Sequence, residues 1–161
     1  QEIENCLKAD FAVFDYLPFR KKVDGRNILY LADNAGETVF DRILIEELEN
    51  KVTYAVREKP IINDALLEDA RFCGIDKIAE VVTTGVDAPG TILSLCSKEF
   101  RKIYNKADFI ISKGQGNYEA LARENKPIFF MFKAKCSVIA RDTGCSLGDL
   151  ILMENKRWNH P

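Results

Sequence analysis

The sequence predicts a three-layer α/β/α fold on a mostly parallel, Rossmann-like sheet of about six strands. Short β-rich runs alternate along the chain with helix-length amphipathic stretches. The runs are nearly continuous in apolar residues and do not alternate with polar ones, as in strands covered on both faces. Strand–helix–strand order repeated in this way winds right-handed into a parallel sheet with helices on either side. At 161 residues the chain is long enough to bury one core without staples, and 47% hydrophobic with 30% charged residues is a globular balance.

The elements follow in order. The first 25 residues read as one helix plus a loop. Strands are expected at Ile28–Ala32, Val52–Val56, Val81–Thr84, Phe109–Ser112, Ile128–Phe132 and Leu150–Met153. Val39, Phe40, Ile43, Leu44 and Leu48 fall on one face at helical spacing, and Leu66, Leu67, Ala70 and Cys73 form a second such face. Ile92, Leu93, Cys96, Phe100, Ile103 and Tyr104 form a third. Asn63 or Asp64 can cap the second helix, and Asn117 a shorter helix over "YEALARENK". Gly74 suits the position just past the second helix, and Pro127 closes the loop after the shorter one. Residues 133–148 carry little pattern. The expected layout is a lead-in at 1–26, a core at 27–155 and a tail at 156–161.

Composition excludes several classes. A net charge of −2 with no basic cluster argues against a nucleic-acid partner. No apolar run reaches membrane-spanning length and no signal peptide is visible, so no membrane is expected. Cys6, Cys73, Cys96, Cys136 and Cys145 form no CxxC pair, which points to a reducing, cytoplasmic setting. The chain opens at Gln1, as a fragment or processed product would.

In open α/β sheets the ligand crevice lies beyond the carboxyl ends of the strands. "ADNAGE" follows the first strand with Asp33, Asn34 and Glu37. "REKPIIND" follows the second with Arg57, Asn63 and Asp64. "TTGVDAPG" follows the third with Asp87, and "SKGQGNYE" the fourth with Lys113, Gly114, Gln115, Gly116 and Asn117. Asp33, Asn34 and Asp87 are oxygen donors suited to a hard divalent cation. Lys113 and the glycine-rich loop suit an anion, since glycine lets backbone N–H groups curl round it. A metal beside an anion cradle describes a phosphate site. Each piece also has a plainer role: a helix cap at Asp33-Asn34, a turn at Asp87, a connecting loop at "KGQGN", a surface ion pair at Arg57. Their recurrence at one end of consecutive strands favours a site.

Other chemistries fail on detail. There is no G-x-G-x-x-G after the first strand, no P-loop and no G-x-S-x-G elbow. The sole histidine, His160, stands next to the end of the chain, so the chemistry must run without one.

"LADNAGETVFDRILIEEL", "VREKPIINDALLEDA", "TTGVDAPGTIL" and "ADFIISKGQGNYEAL" resemble the signature segments of the metal-dependent damage-control phosphatases, in their archaeal and bacterial branch. The likeness runs in order from about residue 27 to about residue 154. It implies a phosphatase of small phosphometabolites, such as sugar phosphates or nucleotides, that uses Mg²⁺, Mn²⁺, Co²⁺ or Ni²⁺. By position it implies Asp33, Asn34 and Asp87 as metal ligands and Lys113 with Gly114, Gln115, Gly116 and Asn117 around the phosphate. Arg57, Asn63 and Asp64 would line the substrate wall, while Glu37 would orient a metal-bound water or cap its turn. Members of this branch carry a further helical N-terminal region, expected to cover part of the crevice. Whether a water or Asp33 itself attacks phosphorus stays open. So do two other readings: a module that binds phosphometabolites without turnover, and, more remotely, a methyltransferase with Glu58 holding a cofactor ribose.

Overall fold

The computed structural model describes residues 9–156. In chain order these form β1 (Phe11–Phe14), α1 (Tyr16–Val23), β2 (Asn27–Leu31), a 3₁₀ turn at Ala35–Glu37 and α2 (Thr38–Leu48). There follow β3 (Lys51–Val56), α3 (Leu67–Phe72), a 3₁₀ turn at Ile75–Lys77, β4 (Glu80–Thr83) and α4 (Lys98–Lys106). The rest is β5 (Phe109–Lys113), α5 (Gln115–Leu121), β6 (Ile128–Lys133), α6 (Ser137–Thr143) and β7 (Leu150–Glu154). The sheet order is β1-β7-β6-β5-β2-β3-β4. Neighbours pair in parallel except β6 and β7. This is the expected mostly parallel α/β architecture, with one strand more than the apolar runs announced.

The apolar runs work as expected, because successive residues point into opposite cores. Leu29, Leu31, Ile110, Phe130 and Phe132 join Phe100, Tyr104, Tyr118 and Ile139 from α4, α5 and α6. Ile28, Tyr30, Phe109, Ile111 and Phe129 join Phe19, Ile45 and Ala70 from α1, α2 and α3 on the other face. Both faces of these strands are covered, so most of their side chains are apolar, with Ser112 a buried polar exception on β5.

Several local expectations are corrected. The lead-in supplies a strand, β1, which pairs with β7 at the sheet edge, before its helix. The poorly patterned stretch after β6 contains α6. Helix α2 turns Thr38, Asp41 and Ile45 to the core, whereas Val39, Phe40 and Ile43 are each about half exposed. A carboxylate thus takes the place expected for an apolar face, because partners wait for it there. Helix α3 starts later than expected, its Leu66 N–H bonded to Asp69, while Asn63 and Asp64 serve the neighbouring loop. Gly74 follows it at φ +72°, a left-handed position that suits glycine. Ile92–Cys96 lie outside α4, which begins only after Ser97 accepts a bond from Phe100 N–H. Asn117 sits inside α5 rather than capping it. Cys73, Cys96, Cys136 and Cys145 are free thiols. Cys6 and His160 lie outside the described residues. No helix among the described residues is long and apolar enough to cross a membrane.

Candidate active site

The chain runs from β2 outward through β3 to β4, then returns to lay β5 on the other side of β2. That reversal opens a crevice between the carboxyl ends of β2 and β5. Asp33 follows β2 and Gly114 follows β5. They touch: a Cβ on Gly114 would stand 2.2 Å from the Asp33 carboxyl carbon, and Gly114 has φ +81°. Only glycine fits both demands, which accounts for this glycine of the "KGQG" loop.

The loop after β3 closes the same corner. Ala65 N–H donates to the Asp33 carbonyl at 2.7 Å, Ala35 N–H donates to the Asn63 carbonyl at 2.8 Å, and Asn34 bridges to Asp64. The Asn34 side-chain amide donates to Asp33 Oδ2 at 2.8 Å and to Glu37 Oε1 at 3.1 Å. Asp33 is pushed up to about 6, chiefly by burial, then by the charges of Glu37 and Asp64, against the pull of Lys135 and Arg57. Burial and neighbouring like charges both disfavour its ionised form.

Lys113 ends β5 beside this corner. Its ammonium donates to Glu37 Oε2 at 2.8 Å and to Asp41 Oδ1 at 2.7 Å. Burial draws its pKa down, but Asp41 and Glu37 outweigh that, so it stands above the ordinary lysine value and keeps its charge. Asp41 also accepts Tyr30 OH at 2.6 Å and Tyr54 OH at 2.7 Å. A cleft of about 450 Å³ opens beside Asp33, Glu37, Lys113, Gly114, Gln115 and Lys135. A larger groove of about 760 Å³ lies between α5 and α6, where Tyr118 bonds Asp142, and none of the expected site residues lines it.

Other expected residues have different tasks. Arg57 is buried, not a surface residue: it bonds Asp64 Oδ2 at 2.8 Å, Thr91 Oγ1 at 3.1 Å and Asn117 Oδ1 at 3.1 Å. Asn117 is fully buried and donates to the carbonyls of Ala32 and Lys113, so it braces the loop from beneath rather than opening toward a ligand. Gln115 is turned to Glu119 and to the Lys135 N–H. A Cβ on Gly90 would stand 2.3 Å from the Gly116 carbonyl oxygen, so the loops after β4 and β5 meet backbone to backbone. Asp87, the third residue expected to hold a metal, stands in the loop after β4. It is exposed, with Lys59 at 3.9 Å, because the buried Val86 beside it anchors the turn and sends the next side chain outward.

Three of the oxygen donors gathered here are Asp33, Asn34 and Asp64, two carboxylates and an amide, with Glu37 beside them engaged by Asn34 and Lys113. Asp64, expected at the substrate wall or as a cap, lies at this corner, bridged to Asn34 and bonded to Arg57. Among the described residues no three His, Cys, Asp or Glu side chains converge as a metal cluster. Two carboxylates with an amide nonetheless match the donors of a Mg²⁺-type ion that keeps places for water and substrate oxygens. Asp41, Tyr30, Tyr54 and Thr91 were missed. The one signal for Asp41 was an acid placed one turn before Leu44 and Ile45 on α2.

Comparison with known proteins settles the family. The model of the damage-control phosphatase ARMT1-like domain matches residues 1–151. The chain belongs to that family. It is 48% identical to an uncharacterized protein of Methanocaldococcus jannaschii, over 94% of this chain and 53% of that one. It is 44% identical to a damage-control phosphatase of Pyrococcus horikoshii, over 97% of this chain and 56% of the relative. A crystal structure of a DUF89 family protein from Pyrococcus horikoshii superposes with a TM-score of 0.90 at 43% identity, covering 96% of this chain and 56% of that one. The chain thus spans about half the length of these relatives.

Proposed function

We propose that this chain forms the core of a divalent-metal-dependent phosphatase acting on phosphate monoesters of small metabolites, such as sugar phosphates or nucleotides. The observation that carries the reading is the meeting of opposite charges at one crevice. Asp33 is destabilised as an anion beside Asn34 and Asp64, and next to it stands a Lys113 held as a cation. Asp33, Asn34 and Asp64 would hold the metal, which when bound supplies Lewis-acid polarisation and a more acidic water.

The remaining work falls to this chain's own groups. An ammonium has three N–H donors, and Glu37 and Asp41 take two from Lys113, leaving the third for a phosphoryl oxygen. The N–H groups of Gln115 and Gly116 open α5, where no preceding helical carbonyl stands to accept them. Arg57 fixes Asp64 from behind, and Asn117 fixes the Lys113 carbonyl. Such preorganised donors act most strongly where charge develops in the transition state.

The test is hydrolysis of p-nitrophenyl phosphate after EDTA stripping, with Mg²⁺, Mn²⁺, Co²⁺ and Ni²⁺ restored singly. Turnover should return only with metal and fall by about 100-fold or more in Asp33→Ala and Lys113→Met. A folded protein inactive with every metal would sink this reading. A second reading, a module that binds phosphometabolites without turnover, is favoured by Lys113 already being paired with both Glu37 and Asp41. Metal-dependent orthophosphate binding with no hydrolysis would select it.

A further inference from the structure

We propose that Asp41 is the positioning residue of the site, the group that sets where the Lys113 ammonium stands. The inference rests on reading Lys113 as the phosphate contact. Its geometric basis is independent of that reading.

Asp41 is a carboxylate at 1% exposure on the inner face of α2. A buried, unpartnered carboxylate is costly, so its partners have to be explained. Tyr30 and Tyr54 are register neighbours on β2 and β3, both fully buried, with ring centres 5.3 Å apart. Their hydroxyls bind different oxygens of Asp41, Oδ1 and Oδ2. Burial, reinforced by Asp41, holds both phenols protonated, so they act only as donors. The carboxylate is thereby fixed at both oxygens by two adjacent strands. From that seat Oδ1 accepts the Lys113 ammonium.

The second ligand of Lys113, Glu37, is a weaker constraint. Its side chain is 41% exposed and lies on a 3₁₀ turn, whereas Asp41 is anchored to the sheet. Glu37 is tied only through Asn34 to the loop after β2, so Asp41 is the ligand of Lys113 that is fixed from the sheet. The strand pair, acting through one carboxylate, aims the lysine at the crevice.

The test combines a chemical probe with turnover. Wild type, Asp41→Asn and the double variant Tyr30→Phe/Tyr54→Phe are treated with a limiting N-hydroxysuccinimide acetate. Peptide mass spectrometry then gives Lys113 acetylation relative to the exposed Lys59. Metal-supported kcat and KM are measured on the same proteins. In Asp41→Asn, relative acetylation of Lys113 should rise about tenfold, as the amine loses charge and restraint. Its kcat should fall at least about tenfold with KM little changed, and the double variant should move both readouts the same way by less. Unchanged acetylation in a folded Asp41→Asn would overturn the proposal, leaving Asp41 as a partner for two tyrosines and nothing more. Raised acetylation with unchanged kcat would overturn it as well. If Asp41→Asn does not fold, the double variant decides by the same two readouts. If wild type shows no turnover with any metal, the phosphatase reading fails, and the acetylation ratio alone decides whether Asp41 holds Lys113.

Discussion

Asp33 is held where its charge is disfavoured, with burial and two neighbouring acids pushing it up to about 6 from the 3.8 of a free aspartate. The folded chain therefore binds a proton at Asp33 more tightly than the unfolded chain does. Stability should be highest below about pH 4 with respect to this group and decline as pH rises through 6. At pH 7.5 the strain is about 1–3 kcal/mol, so Asp33→Asn should raise the melting temperature there and leave it nearly unchanged at pH 4. Added Mn²⁺ should raise the melting temperature of wild type at pH 7.5 and have far less effect on Asp33→Asn. Thermal melts at the two pH values check both outcomes. Gly114→Ala acts on the same carboxylate from the other side. At φ +81° and 2.2 Å from the Asp33 carboxyl carbon, a methyl group must turn that carboxyl away. The expected loss is about 1–3 kcal/mol in denaturant melts, with turnover falling further than stability alone explains. Residues that end a strand beside a turn, such as Asp33, Asn34 and Lys113, could be placed from the sequence because the strand ends could. The sequence assigns Asp87 to a metal and Asp64 to the substrate wall, but that Asp64 is paired with the buried Arg57 while Asp87 is exposed is visible only in the fold.

At the scale of elements, the α5 and α2 helices show what local pattern hides. Asn117 looked like a cap because amides favour helix starts. In fact its four bonds, to Ala32, Lys113, Arg57 and Thr91, join β2, β5, β3 and the loop before α4. Every one of those partners is distant in sequence or defined only after folding, so no spacing rule finds it. Asn117→Ala strands several of these polar groups, and chemical denaturation should show a loss of about 2–4 kcal/mol. Helix α2 misled for the opposite reason: its apolar residues are plentiful on the side away from the sheet. Phe40→Ser with Ile43→Ser should lower the fluorescence of bound anilinonaphthalene sulfonate while stability changes by less than about 0.5 kcal/mol, since neither residue is buried. Had these residues formed the core face, the double substitution would cost several kcal/mol.

The whole sheet was largely legible. Continuous apolar runs declare strands with two covered faces, and their alternation with helices declares parallel order. The antiparallel turn from β6 to β7 was not legible, nor was the recruitment of β1. Short, half-exposed edge strands such as "FAVF" lack the continuous burial that marks their central neighbours. That edge has a consequence in time. Phe11 pairs with Leu150 and Phe14 with Leu152, and Asp15 joins Leu152 and Glu154 at the same seam. The earliest described strand thus has no partner until the last one has been made. During translation β2 to β5 can assemble while β1 and α1 wait, open to proteases and chaperones, as expected for so distant a pairing. A chain stopped after residue 149 should keep slow hydrogen exchange in β2, β3 and β5 and lose it throughout β1. The last described strand would then act as a latch, so that the first described strand is secured only once β7 has left the ribosome.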